Sequence, residues 1–156
     1  MHIPMQVDYG VRALVDLAIH DQEGPVRASD IARRQAIPEP YLAQVLHTMH
    51  KKGLTKSQRG PQGGHSLAAN PSKISMGMVM THLGGPQTII GCLDDDGGCN
   101  QSPACGQRGI WREVKEAIHS VLDSTSIADL MERSHQLSVQ TAAAPSEPTL
   151  MTSGPE

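Results

Sequence analysis

Apolar residues recur at helical spacing from the start of the chain. In VDYGVRALVDLAIH, residues 7–20, the positions Val7, Val11, Leu14, Val15 and Ala18 share one face with polar residues between them, which is the period of an amphipathic helix. Gly24 and Pro25 end that helix. A short second helix carries Ile31 and Ala32, with Ser29 as its expected cap. AIPEPY then turns tightly, because Pro38 and Pro40 suit the first turn of a helix but not its interior. A third helix follows to about Lys52, with Leu42, Val45, Leu46 and Met49 on one face. Its other face shows Ala43, Gln44, His47, His50 and Lys51, and Gly53 stops it.

Two short helices joined by a few residues, the second with a polar outer face, describe a helix-turn-helix. The pattern then changes period. LTKSQRGPQGGHSLA predicts a hairpin, with strand Leu54 to Gln58, a loop of Arg59, Gly60, Pro61, Gln62, Gly63 and Gly64, and strand His65 to Ala68. A hairpin directly after such a helix pair is the wing of a winged helix. Its glycine-rich tip allows the backbone close to a groove, and Arg59 is placed to enter it.

Downstream, NPSKISMGMVMTHLGG predicts another short helix capped by Ser75 and ended by Gly84 and Gly85. The segment GCLDDDGGCNQSPACGQRG, residues 91–109, is a Gly- and Pro-rich loop holding Cys92, Cys99 and Cys105. From Gly109 a long helix carries a stripe of Ile110, Trp111, Val114, Ile118, Val121 and Leu122. That stripe fits either an internal core or a dimer seam. A small winged helix has little core left to cover it, and two-fold half-site recognition favours the seam. SIADLMERS closes the fold as a short helix, and residues 135–156, poor in apolar side chains, read as a disordered tail. The expected organisation is a DNA-binding region over 1–85, a cysteine loop over 86–108, dimerisation and closing helices over 109–134, and the tail.

Composition sharpens this picture. The core must be aliphatic, because the 156 residues include no Phe, one Trp and two Tyr. No apolar run approaches the roughly 18–20 residues that span a bilayer, and the first residues lack a secretory pattern. The expectation is a cytoplasmic protein with reduced thiols and no membrane partner. The net charge of −3 hides an interval without any acid between Glu39 and Asp94, which carries Lys51, Lys52, Lys56, Arg59 and Lys73. Such an interval marks a candidate anion-binding face. No nucleophile with a base partner, phosphate loop or zinc-hydrolase signature is present, which argues against an enzyme.

The order of these features resembles the Rrf family of winged-helix transcription regulators of the IscR and NsrR type. The resemblance covers roughly residues 1–134. It rests on DYGVRALVDLA, IARRQAIPEPYLAQVLHTMHKKGL, RGPQGGHSLA, the C-x6-C-x5-C spacing and IWREV. It implies a mainly α fold with a small β-wing and a long dimerisation helix. It also implies a homodimer on double-stranded promoter DNA, acting as a repressor, with affinity set by an iron–sulfur cluster of two or four irons. By position, Pro40, Ala43, Gln44 and His47 would face the major groove. Arg59, Gly60, Gln62, Gly63 and Gly64 would face the minor groove, with Ser29, Tyr41 and Lys51 completing the DNA-binding set. Ala43 stands where the IscR type has an acidic base-reading residue, so a different operator is expected.

The cysteine spacings of six and five contain no close pair, which favours a cluster over a structural zinc site built on C-x2-C turns. A metal-free thiol regulator ranks below both, because Asp94, Asp95 and Asp96 beside Cys92 disfavour the thiolate. A small iron–sulfur electron carrier would leave the wing unexplained. The resemblance also frames the fourth ligand. The IscR pattern places a histidine three residues after the last cysteine, and here that position is Arg108. The NsrR pattern takes an aspartate from the first helix of the other subunit, and Asp8 matches it. An acid there also serves the helix macrodipole, so both roles stay open, with His65 and His119 as further candidates. An oxygen ligand on iron is a poor match in softness and would open the cluster to nitric oxide or oxygen.

Overall fold

A computed structural model describes residues 3–85, Leu93 and residues 104–143. Among the described residues, six α-helices and one hairpin follow in the order α1 (Met5–Ile19), α2 (Ala28–Gln35), α3 (Glu39–Lys51), β1 (Thr55–Gln58), β2 (Gly64–Leu67), α4 (Met76–Gly84), α5 (Gly106–Ser124) and α6 (Ile127–Ala143), with short 3-10 turns at Asp21–Glu23 and Pro71–Lys73. Among the described residues, no helix is long and apolar enough to cross a membrane.

Helix α1 is the axis of the fold. The sequence pattern gives it a single apolar face, yet every residue from Ala13 to Ala18 is buried. The reason is that α2, α3, α4, α6 and β2 all pack against it. Its Leu14 and Leu17 meet Ile31 of α2 and Leu42, Leu46 and Met49 of α3 in one core with Ile74, Val79 and Ile127. Each such buried aliphatic side chain stabilises the fold by about 1.5–3 kcal/mol relative to exposure, and no aromatic ring takes part in that buried set. Gly10 lets α4 approach closely, since a Cβ there would strike Leu83.

The start of α2 differs from expectation. Ser29 does not cap it. Arg27 occupies the N-cap position in extended backbone, and no side chain caps the helix. Val26 explains this, because it pairs with His65 as an added strand, the two exchanging N–H···O bonds of 2.8 and 2.7 Å. The chain leaves the sheet and enters the helix within one residue. By contrast, Ser75 does cap α4, its Oγ accepting from the Met78 N–H at 3.1 Å.

The closing helix also runs further than expected. Instead of a tail from His135, α6 continues to Ala143. Low apolar content argues against packing but not against helix, and no Gly or Pro interrupts residues 127–143. Gln136 donates to Glu132 at 2.9 Å along that exposed turn. The remainder of the expected tail, 144–156, lies outside the described residues.

Candidate nucleic-acid interface and cysteine segment

The two helices of the helix-turn-helix are joined through Ala36, whose φ of 50° and ψ of 45° place it in the left-handed region. Pro38 stands at the N-cap of α3 and Pro40 in its first turn, where a missing N–H costs no helical bond. Burial of Leu42, Val45, Leu46 and Met49 fixes the rotation of α3. Pro40, Tyr41, Ala43, Gln44, His47 and Lys51 are left exposed. Ser29 is exposed in the first turn of α2.

A buried ionic clamp holds α2 to α1. Asp16, only 1% exposed, accepts from Arg34 Nε at 2.9 Å and Nη2 at 2.6 Å, and from Gln35 Nε2 at 3.1 Å. The His20 Nδ1–H donates to the Asp16 carbonyl at 2.8 Å. The Asp16 carboxylate raises the Arg34 pKa above its ordinary value, chiefly through those hydrogen bonds. Sequence reasoning missed this clamp. Its only signal was an acid among the apolar residues of VDLAIH.

A second contact joins α1 to the recognition helix. The Tyr9 and Tyr41 rings meet edge-to-face, with centroids 5.4 Å apart and planes at 85°, a favoured aromatic geometry. The Arg12 guanidinium stands 5.7 Å from the Tyr9 ring centroid and pairs with Asp8 at 3.5 Å. Asp8 sits in the first turn of α1, as a residue serving the macrodipole would. Its side chain is about half exposed.

The hairpin pairs Thr55 with Leu67 through Gln58 with Gly64. Arg59, Gly60 and Gln62 are exposed at its tip. Gly60 has φ 112°, a conformation other residues rarely adopt. Gly63 and Gly64 are glycine for a different reason. A Cβ on Gly64 would lie 2.6 Å from the Val26 carbonyl carbon, and one on Gly63 would lie 2.9 Å from the Arg59 carbonyl carbon. These two residues therefore serve the wing's own close packing. Lys51, Lys52, Lys56, Arg59 and Lys73 are all exposed, so the acid-free interval presents its positive charge to solvent.

Of the three cysteines, Cys105 is described. Its free thiol is half-buried at the N-cap of α5, an end where unpaired N–H groups favour negative charge. Arg108 lies in the first turn of the same helix. Cys92 and Cys99 lie outside the described residues. Among the described residues, no three His, Cys, Asp or Glu side chains gather as a metal site. His65 lies in β2, its Nδ1 hydrogen-bonded to Ser57 Oγ at 3.1 Å, whereas His119 is exposed on α5. Along α5, Ile110, Val114 and Val121 are exposed, while Trp111, Ile118 and Leu122 are half-buried.

A family model described as an iron-dependent transcriptional regulator, Rrf2, matches residues 3–133. The chain belongs to the Rrf2 family. It is 38% identical over 123 residues to the HTH-type transcriptional regulator IscR of Aliivibrio salmonicida, covering 79% of this chain and 73% of that one. Among solved structures it is similar to T. potens IscR, with a TM-score of 0.70, 33% identity and 94% of each chain covered. CymR, the global cysteine regulator of B. subtilis, is also similar, with a TM-score of 0.74, 31% identity, and 85% of this chain and 98% of that one covered. The Rrf2 fold is the winged helix read from the sequence, and its relatives are transcription regulators rather than enzymes.

Proposed function

We propose that this Rrf2 regulator binds promoter DNA as a homodimer and that an iron–sulfur cluster sets its affinity. Cys92, Cys99 and Cys105 would hold the cluster, with Asp8 of the partner chain as the candidate fourth ligand. The observation that carries this reading is the likeness to IscR proteins over most of the chain, joined to three thiols in one segment. The donor chemistry fits, because thiolates are the usual ligands of such clusters and Cys105 lies at a helix end that favours negative charge. When bound, the cluster would supply a site open to nitric oxide or oxygen at the iron carrying the weaker oxygen ligand.

The chain's own residues supply the rest. Exposed Gln44 and His47 offer hydrogen-bonding groups to base edges in the major groove, and Arg59 offers a cation to the minor groove. The exposed apolar residues of α5 support pairing of two long helices. Among the described residues, the Asp8 carboxylate is held by an exposed ion pair with Arg12, worth about 0–1 kcal/mol, so giving up that pair for a ligand position is inexpensive. Tyr9 beside it packs on Tyr41 of α3, which brings the first turn of α1 into contact with the reading head.

Likeness to a cysteine regulator favours a second reading, a thiol-based regulator without a metal. Anaerobic purification with iron, zinc and acid-labile sulfide analysis separates the two. Iron and sulfide in equal amounts, with visible absorption lost in each Cys→Ala variant, are expected. Iron-free protein or stoichiometric zinc contradicts the cluster reading.

A further inference from the structure

Arg27 stands where the helix-turn-helix meets the wing. Its backbone is extended, with φ −71° and ψ 141°, and Val26 before it pairs with His65 of β2. Its side chain reaches 34 residues along the chain, where Nη2 donates to the Pro61 carbonyl at 2.9 Å. The wing is therefore held at two heights. Just below the loop, β2 is held by the Val26–His65 pairing, which the absent Cβ of Gly64 lets approach. The tip is closed by the Gly63 N–H donating to the Gly60 carbonyl at 2.9 Å and is tied to the helical body through Arg27. Among the described residues, no other hydrogen bond joins residues 59–62 to that body.

We infer that Arg27 is a positioning residue that aims the wing tip, and Arg59 within it, relative to the recognition helix. Residues 59–62 project beyond the Val26 pairing and, among the described residues, hydrogen-bond to the helical body through Arg27, so the bond to Pro61 orients the tip. Arg27 thereby governs how closely the wing reads the minor groove, without reading a base itself. This inference rests on the proposal that the winged helix binds duplex DNA.

The probe is a duplex selected by the full-length protein from a random-sequence library, followed by fluorescence anisotropy. Adenine is replaced, one position at a time, by 2,6-diaminopurine, which adds an amino group to the minor groove and leaves the major-groove edge unchanged. The wild-type protein is expected to show penalties at positions flanking those read by α3. Arg27→Ala and Arg27→Gln should weaken binding about three- to tenfold, the size of one hydrogen bond, and lose those flanking penalties. Penalties for base changes under α3, and the salt dependence, should stay as in wild type. Arg27→Lys, which keeps a donor for Pro61, should restore part of the loss, and its circular dichroism controls for folding.

Flanking penalties unchanged in both Arg27→Ala and Arg27→Gln overturn the inference, as does their absence in wild type. A salt slope smaller by about one with the penalties intact assigns Arg27 a direct phosphate contact and also overturns it. Failure of the wild-type protein to select any duplex contradicts the DNA-binding proposal instead.

Discussion

At the scale of single residues, the buried Asp16 carries the largest expected effect. Among the described residues, Arg34→Ala leaves its carboxylate with the Gln35 hydrogen bond and the His20 ring nitrogen 3.8 Å away. Breaking a buried pair costs about 3–5 kcal/mol; Arg34 is partly exposed, which lowers the expected loss to about 2–4 kcal/mol. Urea unfolding checks this, and a loss below about 1 kcal/mol would mean the clamp behaves as a surface pair. Thr55 presents the opposite case. Its hydroxyl is buried, with no hydrogen-bond partner among the described residues, so Thr55→Val should be neutral or stabilising by about 1 kcal/mol in the same assay. His65 links stability to pH. Burial, and secondarily His50, hold its pKa below the ordinary 6.5. The unfolded chain therefore takes up a proton first as the pH falls. Stability from this residue is complete above about pH 6.5 and declines below it. Thermal unfolding between pH 7.5 and 5.5 should show a smaller decline in His65→Gln than in wild type. Equal declines would remove His65 as the cause.

Elements divide into those whose local pattern fixes them and those that depend on distant partners. The apolar faces of α1 and α3 and the period change at Leu54 were legible because each is a local repeat. The full burial of α1 was not, since its other neighbours come from residues far along the chain. Ser29 shows the same limit. A good capping residue lost its role because Val26 pairs with His65, a contact across 39 positions that no local window contains. The glycines at 63 and 64 were noticed, but as groove contacts, and the structure gives them a packing duty within the wing. Gly64→Ala should accordingly disturb the Val26 pairing and reduce DNA affinity without removing any DNA-facing side chain. For α5, part of the stripe read from sequence is left uncovered, with Ile110 59% and Val121 63% exposed, while Trp111, Ile118 and Leu122 are half-buried. Ile110→Asp and Val121→Asp should leave the helical content of the monomer intact and shift sedimentation from dimer to monomer. A dimer as stable as wild type would place the seam elsewhere.

For the whole molecule, the proposed function asks one architecture to serve both DNA binding and sensing. The helix that carries Asp8 runs through the core, touches the recognition helix through Tyr9, and is clamped to its partner helix through Asp16. These contacts join α1 directly to both helices of the reading head. The fold and the family were legible because the winged-helix order spans most of the chain. The proposed sensing site was legible only as a set of residue types: Cys92 and Cys99 lie outside the described residues, and Asp8 would come from a second subunit, which no sequence window brings together. The most direct test is anaerobic anisotropy titration of one selected duplex, at fixed salt, with cluster-loaded and cluster-free protein. The account predicts affinities that differ by at least about tenfold, about 1.4 kcal/mol of coupling. Equal affinities in the two states would contradict it.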